Sequence, residues 1–159
     1  MAYSESLTLF YSGWETYQNH LVEMITPLTD EQLNLQSASH MWSVGKLAAH
    51  IVAARIYWFH VVMGAGPTTL EPMRRWDEVG EPQRSAHELV EGLHITWTLM
   101  ADCLSRWTIA DLEQTFKRPR RDKLYSRQWI IWHVIEHDLH HGGELSFLLG
   151  THHIPAIDL

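Results

Sequence analysis

The sequence predicts an all-α fold, a four-helix bundle with long crossover connections. Three observations carry that prediction: four long segments with apolar residues at helical spacing, a serine at the N-cap position of three of them, and no confident strand. Residues 5 to 26, "ESLTLFYSGWETYQNHLVEMIT", place Leu7, Phe10, Tyr11, Trp14, Tyr17, Leu21 and Met24 on one stripe, and Pro27 follows at once. This is a first helix of about six turns. In "PLTDEQLNLQSASHMW" the cap-like Thr29 and Asp30 precede turn-forming residues, so the segment reads as a connection with one short helical turn. Ser43 caps the second helix, "WSVGKLAAHIVAARIYWFHVVMG", and Gly64 stops it.

The stretch "GAGPTTLEPMRRWDEVGEP" has the glycine and proline density of a long connection. Ser85 then caps a third helix over residues 86 to 106, on which Leu89, Leu93, Trp97, Met100 and Leu104 form one core-facing stripe. From Thr108 to Tyr125 the chain is polar and basic, contains Pro119, and reads as a crossover with extended pieces. Ser126 caps the fourth helix and Gly150 ends it.

A length of 159 residues suits one domain, spanning 1–159, and 45% hydrophobic against 19% charged residues is a globular balance. The formal charge of −7 and pI near 5.9 supply no basic field for a phosphate backbone, and "KRPRRDK" (117–123) is short and interrupted. Nucleic acid is therefore not an expected partner. A single cysteine, Cys103, excludes an internal disulfide and a thiolate-rich zinc site, and suits a reducing compartment. With no leader pattern and no run of 18 apolar residues, the expectation is a soluble, cytoplasmic protein without a membrane partner.

The fourth helix carries the most informative residues. In "WHVIEHDLHHGGEL" (132–145), His133, His137, His140, His141, Glu136 and Glu144 share an arc of roughly 140°, opposite Ile131, Trp132, Val134, Ile135, Leu139, Leu145 and Leu149, with Asp138 the one polar exception on the apolar side. A solvated face would mix Lys, Arg, Glu and Gln, whereas nearly every residue here can ligate a metal. Residues four apart stand one above the other, so His137 with His141, or His133 with His137, can aim two imidazoles at one ion. The second helix offers His50 in "LAAHIVAA", a lone polar group among small and branched apolar residues that must find a partner, and it is the expected third ligand.

Other histidines lack partners at ligand spacing: His20, His40, His60 and His87 read as surface or capping residues, and His152 and His153 as a solvated tail. Trp14, Trp97 and Trp132 occupy periodic positions and read as core.

With these residues placed, the chain resembles the DinB/YfiT-like superfamily of four-helix-bundle metal proteins. The likeness rests on "WSVGKLAAHIV" (42–52), similar to the family's helix-two segment with its first histidine, and on "HVIEHDLHHGGELSFLLG" (133–150), similar to its closing H-x-x-x-H helix. Nearly the whole chain follows the family order. The resemblance implies that His50, His137 and His141 bind one divalent ion per chain, nickel or zinc, and that His133 and His140 orient a ligand or a bound water around it. It also implies a homodimer. Some relatives act with low-molecular-weight thiols as transferases or isomerases, so a small thiol enters as a possible co-substrate. Gly142 and Glu144 stand where the family has basic and amide residues.

A three-histidine site leaves a coordination position open, the arrangement of a catalytic metal. The expectation is a metal-dependent enzyme acting on a small-molecule substrate, of the small-thiol S-transferase or hydrolase type, with Glu144 or Glu136 as proton carrier. Its rival is a non-catalytic, metal- or pH-stabilised dimeric module, which would close the coordination sphere with protein groups and leave no cavity beside the ion. A di-iron carboxylate bundle needs a Glu from each of two further helices, and residues 43–63 contain no Asp or Glu.

Overall fold

Side-chain oxygens set the helix starts. The computed structural model describes residues 5–158, apart from the side chains of residues 5, 6 and 8; residues 1–4 and 159 of the expected domain lie outside the described residues. Helix α1 (Glu5–Ile25) stops before Pro27, and the short α2 (Asp30–Leu33) starts on a reciprocal cap between Thr29 and Gln32. Ser43 accepts from the Lys46 amide to open α3 (Val44–Ile56), Ser85 and Glu88 cap α4 (Ala86–Arg106), and Ser126 accepts from the Trp129 amide to open α6 (Arg127–Thr151). All three expected serine caps are thus in place.

The connections are more ordered than their composition suggested. Thr68–Arg75 forms a 3-10 helix inside the long second connection. The crossover holds a short α5 (Ile109–Leu112) and a hairpin of β1 (Thr115–Lys117) and β2 (Leu124–Ser126), antiparallel with Phe116 opposite Tyr125. Arg127 ties this crossover to the start of α6: its guanidinium donates to the Asp111 carbonyl and Gln114 Oε1, both at 2.7 Å, and lies 4.2 Å from the Trp107 ring.

Two helix ends differ from expectation. The second helix does not stay α-helical to Gly64: from Tyr57 to Val62 it winds as a π-helix, and Gly64 then turns the chain at φ 71°. Gly64 is thus the expected stop, but Gly150 does not end the fourth helix, because α6 continues to Thr151 and His153 makes the left-handed turn at φ 57°.

Helix α3 is central, packed against both α4 and α6. Leu21, Ile25, Ile51, Leu89, Leu93 and Leu145 are fully buried around it, and Trp14, Phe59, Met100, Ile130 and Val134 form a second apolar cluster. The core also holds an ion pair with no exposure on either partner. Arg55 of α3 grips Asp138 of α6 through Nε and a terminal nitrogen, the latter at 2.8 Å. Its other terminal nitrogen donates to Gln18 Oε1 at 2.7 Å and Thr96 Oγ1 at 3.3 Å, while the Trp14 indole N–H donates to Asp138 at 2.8 Å. Asp138, the polar exception on the apolar arc, is therefore a core residue with its charge matched.

Three residues expected in the core lie outside it: Phe10 is 68%, Trp132 59% and Leu139 45% exposed. They line a groove of ≈ 650 Å³ between α1 and α6. Helical periodicity predicts an apolar face but not what covers it.

Gly142 has a packing role. A Cβ there would lie 2.2 Å from the Tyr17 hydroxyl and 2.9 Å from its ring, so α6 needs a glycine for the buried Tyr17 to lie against it. Gly142→Ala should destabilise the protein by about 1–3 kcal/mol through overpacking, read from chemical denaturation. Gly143→Ala, with nothing within 4 Å of the added carbon, is the control and should be far milder.

Candidate metal centre

The pairing of α3 with α6 brings His50 against the histidine face. His50 Nε2 and His137 Nε2 stand 3.0 Å apart, and the ligand-capable atoms of His50, His137 and His141 all lie within 4.8 Å of one another. Two imidazole nitrogens that close need a shared proton or a cation between them. Nitrogens bound to one tetrahedral zinc at about 2.0–2.1 Å are themselves about 3.3 Å apart, so the spacing suits an ion.

Carboxylates orient two of the rings. His50 Nδ1 meets Asp77 Oδ2 at 2.6 Å, and His141 Nδ1 meets Glu144 Oε2 at 2.6 Å. Each contact fixes the ring proton on Nδ1 and leaves the Nε2 lone pair for a metal, the usual carboxylate–histidine–metal relay. Asp77 is held in turn by Lys46, one turn before His50 on α3, whose ammonium donates to the main-chain carbonyls of Asp77 and Glu78. His137 has no such partner, and its Nδ1 is buried without a hydrogen bond.

Burial also sets the charge state. It pushes His137 down to about 3, helped by the neighbouring imidazoles of His141, His50, His133 and His140. His141 is lowered as well, by burial first, with Glu144 opposing. Both rings are therefore neutral and able to coordinate at neutral pH. An unfolded chain takes up the His137 proton near the ordinary 6.5, the folded one only near 3, so stability is fully present above 6.5 and is lost as pH falls through this window. In the metal-free protein, denaturation midpoints should fall between pH 7 and pH 4, and the fall should be shallower in His137→Gln. Equal slopes would show that His137 is not the group responsible.

The remaining predicted residues flank the triad. His133 stacks on Trp129 at 4.9 Å, lies 6.2 Å from His137 and pairs with the exposed Glu136 at 3.5 Å. His140 is 65% exposed and points a nitrogen to Glu144 at 3.6 Å. His140, His141 and Glu144 form a second group within ligand distance, more exposed than the first and sharing His141 with it.

On one side the triad meets Trp42, whose ring is 4.8 Å from that of His50. On the other it opens into a cleft of ≈ 330 Å³ with His50 and His137 in its wall, together with Tyr57, Trp58, Arg118 and His133. Tyr57 and Trp58 begin the π-helical segment, a distortion that recurs at functional sites because it re-aims side chains. Cys103 is no candidate for the chemistry, since it is buried and burial pushes its thiol up.

Sequence reasoning missed Asp77, Tyr57, Trp58 and Arg118. The one available signal was His50 itself, which needed a partner in a helix without an acid. Nothing in local spacing pointed to residue 77.

The fold and the site define a class: an α-helical bundle in which three histidines from two helices could hold a metal ion beside an open cleft. The family model described as the DinB superfamily matches residues 14–145, and the chain belongs to that superfamily. Among solved structures, it resembles a DinB-like protein from Bacillus cereus, with a TM-score of 0.74 and 24% identity over 94% of this chain and 95% of that one. A DinB-like protein from Bacillus subtilis gives 0.68 and 14% over 93% and 94%. A conserved protein from Enterococcus faecalis gives 0.69 and 15% over 94% and 99%. No curated protein matches the chain. No helix among the described residues is long and apolar enough to cross a membrane.

Proposed function

We propose that this chain binds one divalent ion, nickel or zinc, through His50, His137 and His141 and is a metal-dependent enzyme for a small-molecule substrate, of the small-thiol S-transferase or hydrolase type. The observation that carries this reading is the cleft beside the triad, together with the engagement of both nearby carboxylates, Asp77 on His50 and Glu144 on His141. Neither carboxylate is placed to close the coordination sphere, which leaves a position for water or substrate. When bound, such an ion lowers the pKa of a coordinated water or thiol toward neutrality and supplies a nucleophile.

The chain's own residues do the rest. Asp77 and Glu144 hold the Nδ1 protons of His50 and His141, and His133 presents an imidazole to the cleft as a proton acceptor. Glu144, 41% exposed, reaches both His141 and His140 and can pass a proton to solvent; Glu136, 61% exposed, meets the site through His133. The groove between α1 and α6 supports a homodimer, since Phe10, Trp132 and Leu139 there would be covered by a second copy.

The rival module, in which protein groups complete the sphere and nothing turns over, is disfavoured by the open cleft. The test is ligand exchange on the cobalt-loaded protein. Addition of a small thiol should produce a thiolate-to-cobalt absorption band, followed by turnover in a screen of thiol-transfer and hydrolysis reactions. A cobalt spectrum indifferent to thiol, azide and cyanide would mark a closed, structural site.

A further inference from the structure

The cleft beside the triad carries one cation, Arg118, that no carboxylate among the described residues pairs with. Arg118 is the second residue of the basic run between β1 and β2, and the hairpin folds it back toward α3. Its guanidinium carbon lies 4.8 Å from the Trp58 ring and 5.3 Å from the Tyr57 ring, and its Nε donates to the Tyr57 hydroxyl at 3.1 Å. The Tyr125 hydroxyl is a second acceptor for the guanidinium, but among the described residues no carboxylate pairs with the side chain. The other charged groups of the cleft are matched: Arg74 with Glu71 and Glu78, and Asp77 with His50.

We infer that Arg118 is the anion anchor of this cleft, and that the substrate is a small carboxylate-bearing molecule whose other end reaches the position beside His50 and His137. A guanidinium has five N–H donors, so one stacked on aromatic rings and held by two hydroxyls still has N–H groups left for charge-assisted bonds to a carboxylate. Tyr57 fixes the fork in advance, so little side-chain entropy is lost when the anion binds. The cleft, ≈ 330 Å³, is at the small end of ligand pockets, which favours a compact acid. Arg118 is the one residue of the basic run that lines the cleft; Lys117 pairs with Asp122, and Lys123 lies over Tyr125.

This inference rests on the proposed metal site, and two probes separate their fates. Cobalt-loaded protein is titrated with 3-mercaptopropionate and with its neutral isostere, 3-mercaptopropionamide, following the thiolate-to-cobalt band. The wild type should bind the carboxylate about tenfold or more tightly than the amide, as expected of charge-assisted hydrogen bonds. Arg118→Gln should abolish that preference while leaving the amide's affinity unchanged, and Arg118→Lys should retain part of it. The same preference in wild type and Arg118→Gln would overturn the anchor and leave the metal reading standing. Equal loss of both probes in Arg118→Gln would also overturn it, by showing that Arg118 supports the site's structure rather than an anion. No cobalt spectrum in the wild type would remove the metal site, and the anchor with it.

Discussion

Asp138→Ala is expected to destabilise the protein by about 3–5 kcal/mol, lowering the midpoint of thermal unfolding by on the order of 10 °C. Arg55 and Asp138 have no exposure, and removing the carboxylate leaves a guanidinium sealed in the core with no counter-charge. The Trp14 indole N–H loses its acceptor in the same step. Replacing both charges tests the cause. Arg55→Met with Asp138→Leu should recover most of the loss, because well-packed apolar residues often substitute for a buried ion pair without net cost. If the double variant were as unstable as the single one, the loss would come from packing and not from the stranded charge. The pair also fixes position. Asp138 follows His137 on α6, and Arg55 stands five residues after His50 on α3, so one contact sets the register of the two helices that carry the triad. The single variant should therefore loosen metal binding as well as the fold.

The second large effect is at Asp77. Asp77→Ala should weaken divalent-metal binding about 10- to 100-fold with little change in stability of the metal-free protein, measured by competition with a chromophoric chelator. The carboxylate takes the Nδ1 proton of His50 at 2.6 Å and leaves Nε2 unprotonated. Without it the ring is free to rotate and to change tautomer, and the ion loses a pre-oriented ligand. Asp77→Asn should fall between the two, since an amide oxygen can still accept the proton but carries no charge. Unchanged affinity in both variants would mean that His50 needs no such support, and would weaken its assignment as a ligand.

What could be read from the sequence was local. Ser43, Ser85 and Ser126 mark helix starts because each serine satisfies an amide three residues on, a contact fixed by short-range geometry. His137 and His141 were legible for the same reason, as neighbours on one helix face. His50 was found by a different route, its isolation among apolar residues. The features that could not be read are all long-range: Arg55 and Asp138 are 83 positions apart, and Arg118 and Tyr57 are 61 apart. No periodicity couples them. The same limit explains the misplaced core residues. Trp132 and Leu139 lie on the apolar arc of α6 as expected, but whether an apolar arc is covered depends on where α1 runs. Asp77 shows the converse case, a residue in a segment read as a connection that a lysine on α3 holds in place.

The central claim is that His50, His137 and His141 form one metal site, and metal content tests it most directly. Untagged protein purified without chelator would be measured by mass spectrometry alongside His50→Ala, His137→Ala and His141→Ala. The account predicts close to one equivalent of a divalent ion per chain in the wild type, and its loss in each of the three variants while His20→Ala retains it. Wild-type protein that carries no metal and takes up neither added nickel nor added zinc would contradict the account.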